Sequence, residues 1–169
     1  TLFQTVSPGG VASYNIPAAV SQALAYTSGT GAKSYDQLHS KVYSLAGSSQ
    51  DIDLTSLLDV AGSTVNMARA RELFVFMLSK TSGRILTVDT TLSNGWKPAI
   101  GDGSSGGKIR LFAQASDASV FDYFHWSDWY STGAGVGGVT SSTSRLVRLN
   151  PGSDTFDAWV IALGCSAVS

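Results

Sequence analysis

Leu73-Phe74-Val75-Phe76-Met77-Leu78 are six apolar residues in a row, with Arg71-Glu72 before them and Ser79-Lys80-Thr81-Ser82-Gly83 after. A run that short, rich in aromatic and β-branched types and bounded by polar residues, predicts a strand buried on both faces. The Thr-Ser-Gly turn then leads into Ile85-Leu86-Thr87-Val88, which predicts a hairpin partner for that strand. A strand too apolar to face water on either side needs a second sheet or another subunit over it. That requirement points to a β-sandwich.

Other segments alternate with period two. Gln50-Asp51-Ile52-Asp53-Leu54-Thr55 puts Ile52 and Leu54 on one face and both aspartates on the other. Lys108 to Ala113 alternates in the same way. Lys41 to Leu45, Val120 to Trp126, Leu146 to Leu149 and Thr155 to Leu163 read as further short strands. Asn150-Pro151-Gly152-Ser153-Asp154 reads as a hairpin loop between the last two, and Gly164 as the end of the final strand. Asn94-Gly95 is a turn, with Trp96 beside it expected to cover a core edge. The stretch from 131 to 144 is almost all Gly, Ser and Thr and predicts a long loop. About eight short strands separated by turns, with no sustained helical period, predict one all-β domain. The expected architecture is a jelly-roll-like β-sandwich over residues 35–169.

Residues 1–34 differ. Pro8, Gly9-Gly10, Pro17 and the Ser28-Gly29-Thr30-Gly31 stretch cut them into pieces too short for a core. They read as an N-terminal arm lying over the domain or a neighbour. Its candidate contacts are Leu2, Phe3, Ile16 and Val20; Ile16 and Val20 share a face if Pro17 opens a short helix.

Composition narrows the function. The chain has 169 residues, 43% hydrophobic and only 14% charged, with a net charge of −1. No basic footprint for nucleic acid is present. No apolar run reaches the ~18 residues that a membrane span needs. With few charges, the surface must be built from Ser, Thr, Gly and Asn, which does little to repel neighbours. The single cysteine, Cys165, excludes an internal disulfide and, at the end of an apolar strand, reads as a buried inert thiol. The start, Thr-Leu-Phe-Gln-Thr-Val, lacks the basic and apolar regions of a signal peptide, so folding in a reducing cytoplasm is expected.

Two motifs are spelled without their context. Gly133-Ala134-Gly135-Val136-Gly137-Gly138 matches a dinucleotide fingerprint, but Val139-Thr140-Ser141-Ser142 is poor material for the helix it requires. Gly103-Ser104-Ser105-Gly106-Gly107 matches a nucleophile elbow, but a strand rather than a helix follows. The two histidines, His39 and His125, are the only candidate bases of that type. Asp51 and Asp53 form no compact oxygen cage for calcium, and two His with one Cys do not make a structural zinc site. No catalytic residue, metal ligand or cofactor site is assigned, and the expectation is that the chain is not an enzyme.

The richest stretch chemically is Asp122-Tyr123-Phe124-His125-Trp126-Ser127-Asp128-Trp129-Tyr130. Its aromatics suit a protein interface anchored by Tyr123, Trp126, Trp129 and Tyr130. They equally suit a core strand with polar residues outward. A third use is a sugar platform built from Tyr123, Trp126, Asp128, Trp129 and Tyr130.

Val42-Tyr43-Ser44-Leu45-Ala46-Gly47-Ser48-Ser49-Gln50-Asp51-Ile52-Asp53-Leu54-Thr55 leads through Arg69 to Leu73 into Ile85-Leu86-Thr87-Val88. Together with Leu149 to Thr155 and Val160-Ile161, this resembles small β-rich structural proteins of tailed bacteriophages, of the capsid decoration or cement kind. The likeness spans about residues 40–165 and rests on strand-and-turn patterns. It implies a non-enzymatic virion protein on the outer capsid surface that clamps the major capsid protein lattice. Its partners would be that coat protein and sister copies, as a homotrimer first and a dimer second, without nucleic acid or membrane. The alternative is a carbohydrate-binding or tail-fibre receptor-binding domain. The aromatic segment departs from the family pattern and leaves room for an added outward surface.

Overall fold

The computed structural model describes residues 4–5, 13–14, 27–29, 34–59, 61–79, 81–100, 105–113, 121–128, 138–139 and 143–167. Eight strands carry the fold. They are β1 (Gln37–Ala46), β2 (Gln50–Asp53), β3 (Arg69–Met77), β4 (Ile85–Asp89), β5 (Lys108–Phe112), β6 (Tyr123–Ser127), β7 (Leu146–Asn150) and β8 (Thr155–Cys165). Two-stranded ladders join Gln4–Thr5 to Ser13–Tyr14, Thr27–Ser28 to Ser34–Tyr35, and Leu57–Leu58 to Thr64–Val65. No α-helix occurs among the described residues.

The eight strands form two antiparallel sheets, ordered β5-β4-β7-β2 and β6-β3-β8-β1. The pairs β1–β8, β2–β7, β3–β6 and β4–β5 all occur. Both sheets feed one hydrophobic cluster that includes Leu45, Ile52, Val75, Val88, Val147 and Val160. The alternation read in Gln50 to Thr55 holds: Ile52 and Leu54 are buried and the aspartates face outward.

The observed strand order corrects two expected pairings. Leu73–Leu78 and Ile85–Val88 are not hairpin partners, because β3 and β4 lie in different sheets. Nor are the last two strands: β7 pairs with β4 and β2, and β8 with β1 and β3. The connection between β3 and β4 is long enough to cross the ~10 Å between packed sheets. The inward side chains of these strands feed one shared core instead of a common backbone ladder.

Gly164 does not end β8 but sits inside it, at a shift of register after Leu163. A side chain there would put its Cβ 2.5 Å from the Arg69 carbonyl oxygen, so the bulge needs glycine. Trp96 is wholly buried, as its place after the turn suggested. Its indole N–H donates to the Gly138 carbonyl at 3.2 Å, and its ring meets Trp126 edge-on at 4.5 Å.

The arm expected over residues 1–34 falls largely outside the described residues. So do its candidate contacts Leu2, Phe3, Ile16 and Val20, the aromatics Trp129 and Tyr130, and most of the loop from 131 to 144.

Candidate interface surface

The two sheets turn very different outer faces away from the shared core. On the first, one row of side chains runs across all four strands in register: Lys108, Asp89, Arg148 and Asp51. The charges alternate in sign. Lys108 Nζ lies 3.1 Å from Asp89, and the Arg148 guanidinium grips Asp51 with two bonds of 2.6 and 2.9 Å. Burial alone would raise the Asp89 carboxyl. The hydroxyl and amide of Thr91 and the Lys108 ammonium outweigh it and hold the group below its usual range. Opposite charges on adjacent strands suit a face that stays in water.

The second sheet's outer face is apolar and aromatic. Tyr123, Phe76, Trp159 and Val42 form one row across β6, β3, β8 and β1. His125, Phe74, Ile161 and Ser40 form the next. Phe74 and Ile161 make a second hydrophobic cluster with Leu38, Phe76 and Trp159, separate from the core. The rings touch in sequence. Phe76 lies 5.5 Å from Tyr123 and 5.4 Å from Trp159, and Phe74 lies 6.1 Å from Phe76. The Trp159 N–H donates to Ser40 Oγ at 3.0 Å, satisfying its one polar group. The row ends are open: Tyr123 is 50% exposed and Val42 49%.

Among the described residues of the aromatic stretch singled out in the sequence, Tyr123 presents its ring on this face, with His125 in the next row. Trp126 points inward and packs against the core beside Trp96. Asp128 is committed to Arg69, at 3.0 Å, in a buried ion pair at the end of β3. For Phe74 and Phe76 the sequence predicts a strand covered on both faces, by a second sheet or another subunit, whereas for Trp159 and Ile161 it predicts a strand with no outward role. The signal was present: in Leu73–Leu78 and Ala158–Leu163 both parities are apolar, and one core can take only one parity.

Neither histidine is poised for proton transfer. His125 Nε2 stands 4.0 Å from Glu72 Oε1, beyond hydrogen-bond length, and burial pushes its pKa down. His39 is buried in the core side of β1. Its Nδ1 contacts the Leu58 carbonyl at 2.5 Å, and a carbonyl only accepts, so Nδ1 carries the proton. Nε2 then accepts the Tyr43 hydroxyl at 3.0 Å, leaving both nitrogens engaged beside a concavity of about 260 Å³. Cys165 is buried and its thiol is pushed up by burial, the nearby guanidinium of Arg71 opposing more weakly. Among the described residues no group of His, Cys, Asp and Glu is gathered as a metal would require. Comparison of the chain with protein-family models, curated proteins and solved structures finds no match.

Proposed function

We propose that this chain is a structural protein of a virion, working by burial of its aromatic sheet face against neighbouring subunits. The observation that carries the reading is the contrast between the outer faces. One carries a ladder of alternating charge, with Phe112 exposed beside Ile85 at its far end, and the other carries a row of rings ending in exposed Tyr123 and Val42. Phe74 and Ile161 on this second face are themselves buried, Phe76 and Trp159 are half-buried, and the open apolar surface lies at its ends, Tyr123 and Val42. Exposed apolar surface of this kind is a candidate interaction site. The pairing of β1–β8, β2–β7, β3–β6 and β4–β5 supports a jelly-roll topology, an arrangement widely used in viral capsids. Fold alone does not assign function, so that support is secondary.

On this reading the protein decorates the outer capsid surface and clamps coat subunits and sister copies, after folding in the host cytoplasm. Burying several hundred Å² of apolar surface at ~25 cal/mol per Å² is a gross gain of several kcal/mol per copy. Association costs offset much of it, and many copies on one lattice restore the effect. The sugar-platform reading gains no such support, because Trp126 and Asp128 are already engaged inside the molecule.

The test is to probe purified virions with an antibody to the chain, then repeat with the Tyr123→Asp, Trp159→Ser double variant. The expected result is many copies per particle for the native chain and loss of the folded variant from particles. A chain found free of particles, or a variant retained at native occupancy, would overturn the reading.

A further inference from the structure

We infer that β1 is a self-pairing edge, and that two copies join antiparallel across a two-fold axis at Val42. The inference goes beyond the proposed function and can fail without it. β1 is ten residues long, and among the described residues its ladder has one partner, β8. Among the described residues its other edge offers a row of backbone donors and acceptors. Edges of this length are normally blunted by proline, a bulge or inward charge. Gln37–Ala46 contains no proline, and its register with β8 runs without a shift from Gln37 opposite Gly164 to Ala46 opposite Thr155. The one charge, Lys41, has the inward parity that blunts an edge, and its ammonium is taken up over the Tyr43 ring, 5.0 Å from the centre.

The register follows from side-chain parity. Antiparallel self-pairing must keep Leu38, Ser40, Val42 and Ser44 on the outer face, so the axis has to pass through a residue rather than between two. An axis at Lys41 would set two ammonium groups face to face. An axis at Val42 sets Val42 against its own copy, Ser40 against Ser44, and Lys41 against Tyr43 of the second molecule. That register pairs apolar with apolar and a cation with an aromatic ring. It also has a consequence for the surface. The row Tyr123–Phe76–Trp159–Val42 continues into the same row of the second copy in reverse. Two second sheets become one eight-stranded sheet with a single aromatic face. The occupant is a second copy because the contact is isologous: each surface is its own complement.

Mass in solution and disulfide trapping test this on the full chain. Facing residues in an antiparallel pair have Cα atoms about 4.5–5.5 Å apart, within the span of a disulfide. The expected results are a native dimer, a covalent dimer from Val42→Cys under mild oxidation, and no covalent dimer from Tyr123→Cys on the opposite edge. Cys165 is buried and does not compete. Val42→Arg should weaken the dimer about a hundredfold or more, the effect of like charges set face to face. A native monomer at ~100 µM, far above the Kd of a stable interface, would overturn the inference. So would a trimer, a dimer indifferent to Val42→Arg, or trapping through Tyr123→Cys in place of Val42→Cys. Monomeric Val42→Arg still found on particles would leave the virion role standing.

Discussion

The imidazole of His125 lies flat on the ring of Phe74, with centroids 4.1 Å apart and planes within 3°. The two residues face each other across β6 and β3, so the pairing of the strands sets the stack. Burial there favours the neutral ring over the charged one, although Glu72 lies 4.0 Å away.

The first prediction concerns pH. The folded-state pKa of His125 is lowered from its ordinary value of about 6.5, so the unfolded chain takes up a proton where the folded chain does not. Stability should therefore fall as pH drops below about 6.5 and stop falling on this account once the folded pKa is passed. His125→Phe keeps the stack and removes the proton. The urea midpoint of that variant should change less between pH 7.5 and 5 than that of the native chain. Part of the slope should remain, because His39 is shifted in the same direction by its own burial. An identical slope in the variant would show that His125 contributes none of it.

The second concerns the ion pair of Arg69 with Asp128, whose side chains are 2% and 10% exposed. Removing one member of a buried pair strips compensation from the other charge. Asp128→Ala should destabilise by about 3 kcal/mol, while a double change of Asp128→Ala with Arg69→Met should recover much of that loss. Equilibrium denaturation of the three variants measures it. Equal losses in single and double variants would argue against the pair.

The third separates two tryptophans that touch. Trp96 is fully buried, so Trp96→Ala should cost about 3–5 kcal/mol through the cavity it leaves. Trp126 is only partly buried against the same cluster, and Trp126→Ala should cost clearly less. Denaturant midpoints rank them. The reverse order would place Trp126, not Trp96, at the centre of that packing.

The fourth concerns a close approach around Thr90. Its hydroxyl donates to the Ile100 carbonyl at 2.9 Å and accepts the Gly107 amide at 3.1 Å. A Cβ on Gly106 would stand 1.9 Å from the Thr90 carbonyl oxygen, a backbone atom that cannot swing aside. Gly106→Ala should therefore cost about 1–3 kcal/mol or more. A melting temperature unchanged from native would show that this backbone yields freely.

The class of fold was legible in the chain because period two is a local property. Ile52 and Leu54 could be placed on the buried face from Gln50 to Thr55 alone, and eight strands could be counted from their turns. The pairing was not. Leu78 and Ile85, or Asn150 and Thr155, look like hairpin ends because short connections favour adjacent strands. Whether a connection turns within a sheet or crosses to the facing one depends on where every other strand sits.

The candidate surface divides in the same way. The composition of Leu73–Leu78 and Ala158–Leu163 determined that two strands carry apolar residues on both faces. Only the tertiary structure decided that β3 and β8 lie side by side, so that Phe74, Phe76, Trp159 and Ile161 share one outer face. It also decided that Tyr123 joins them while Trp126 turns inward to Trp96. Side-chain parity is written in the order of residues along a strand. Which face is the outside depends on which partners meet across the core, and those partners are distant in sequence.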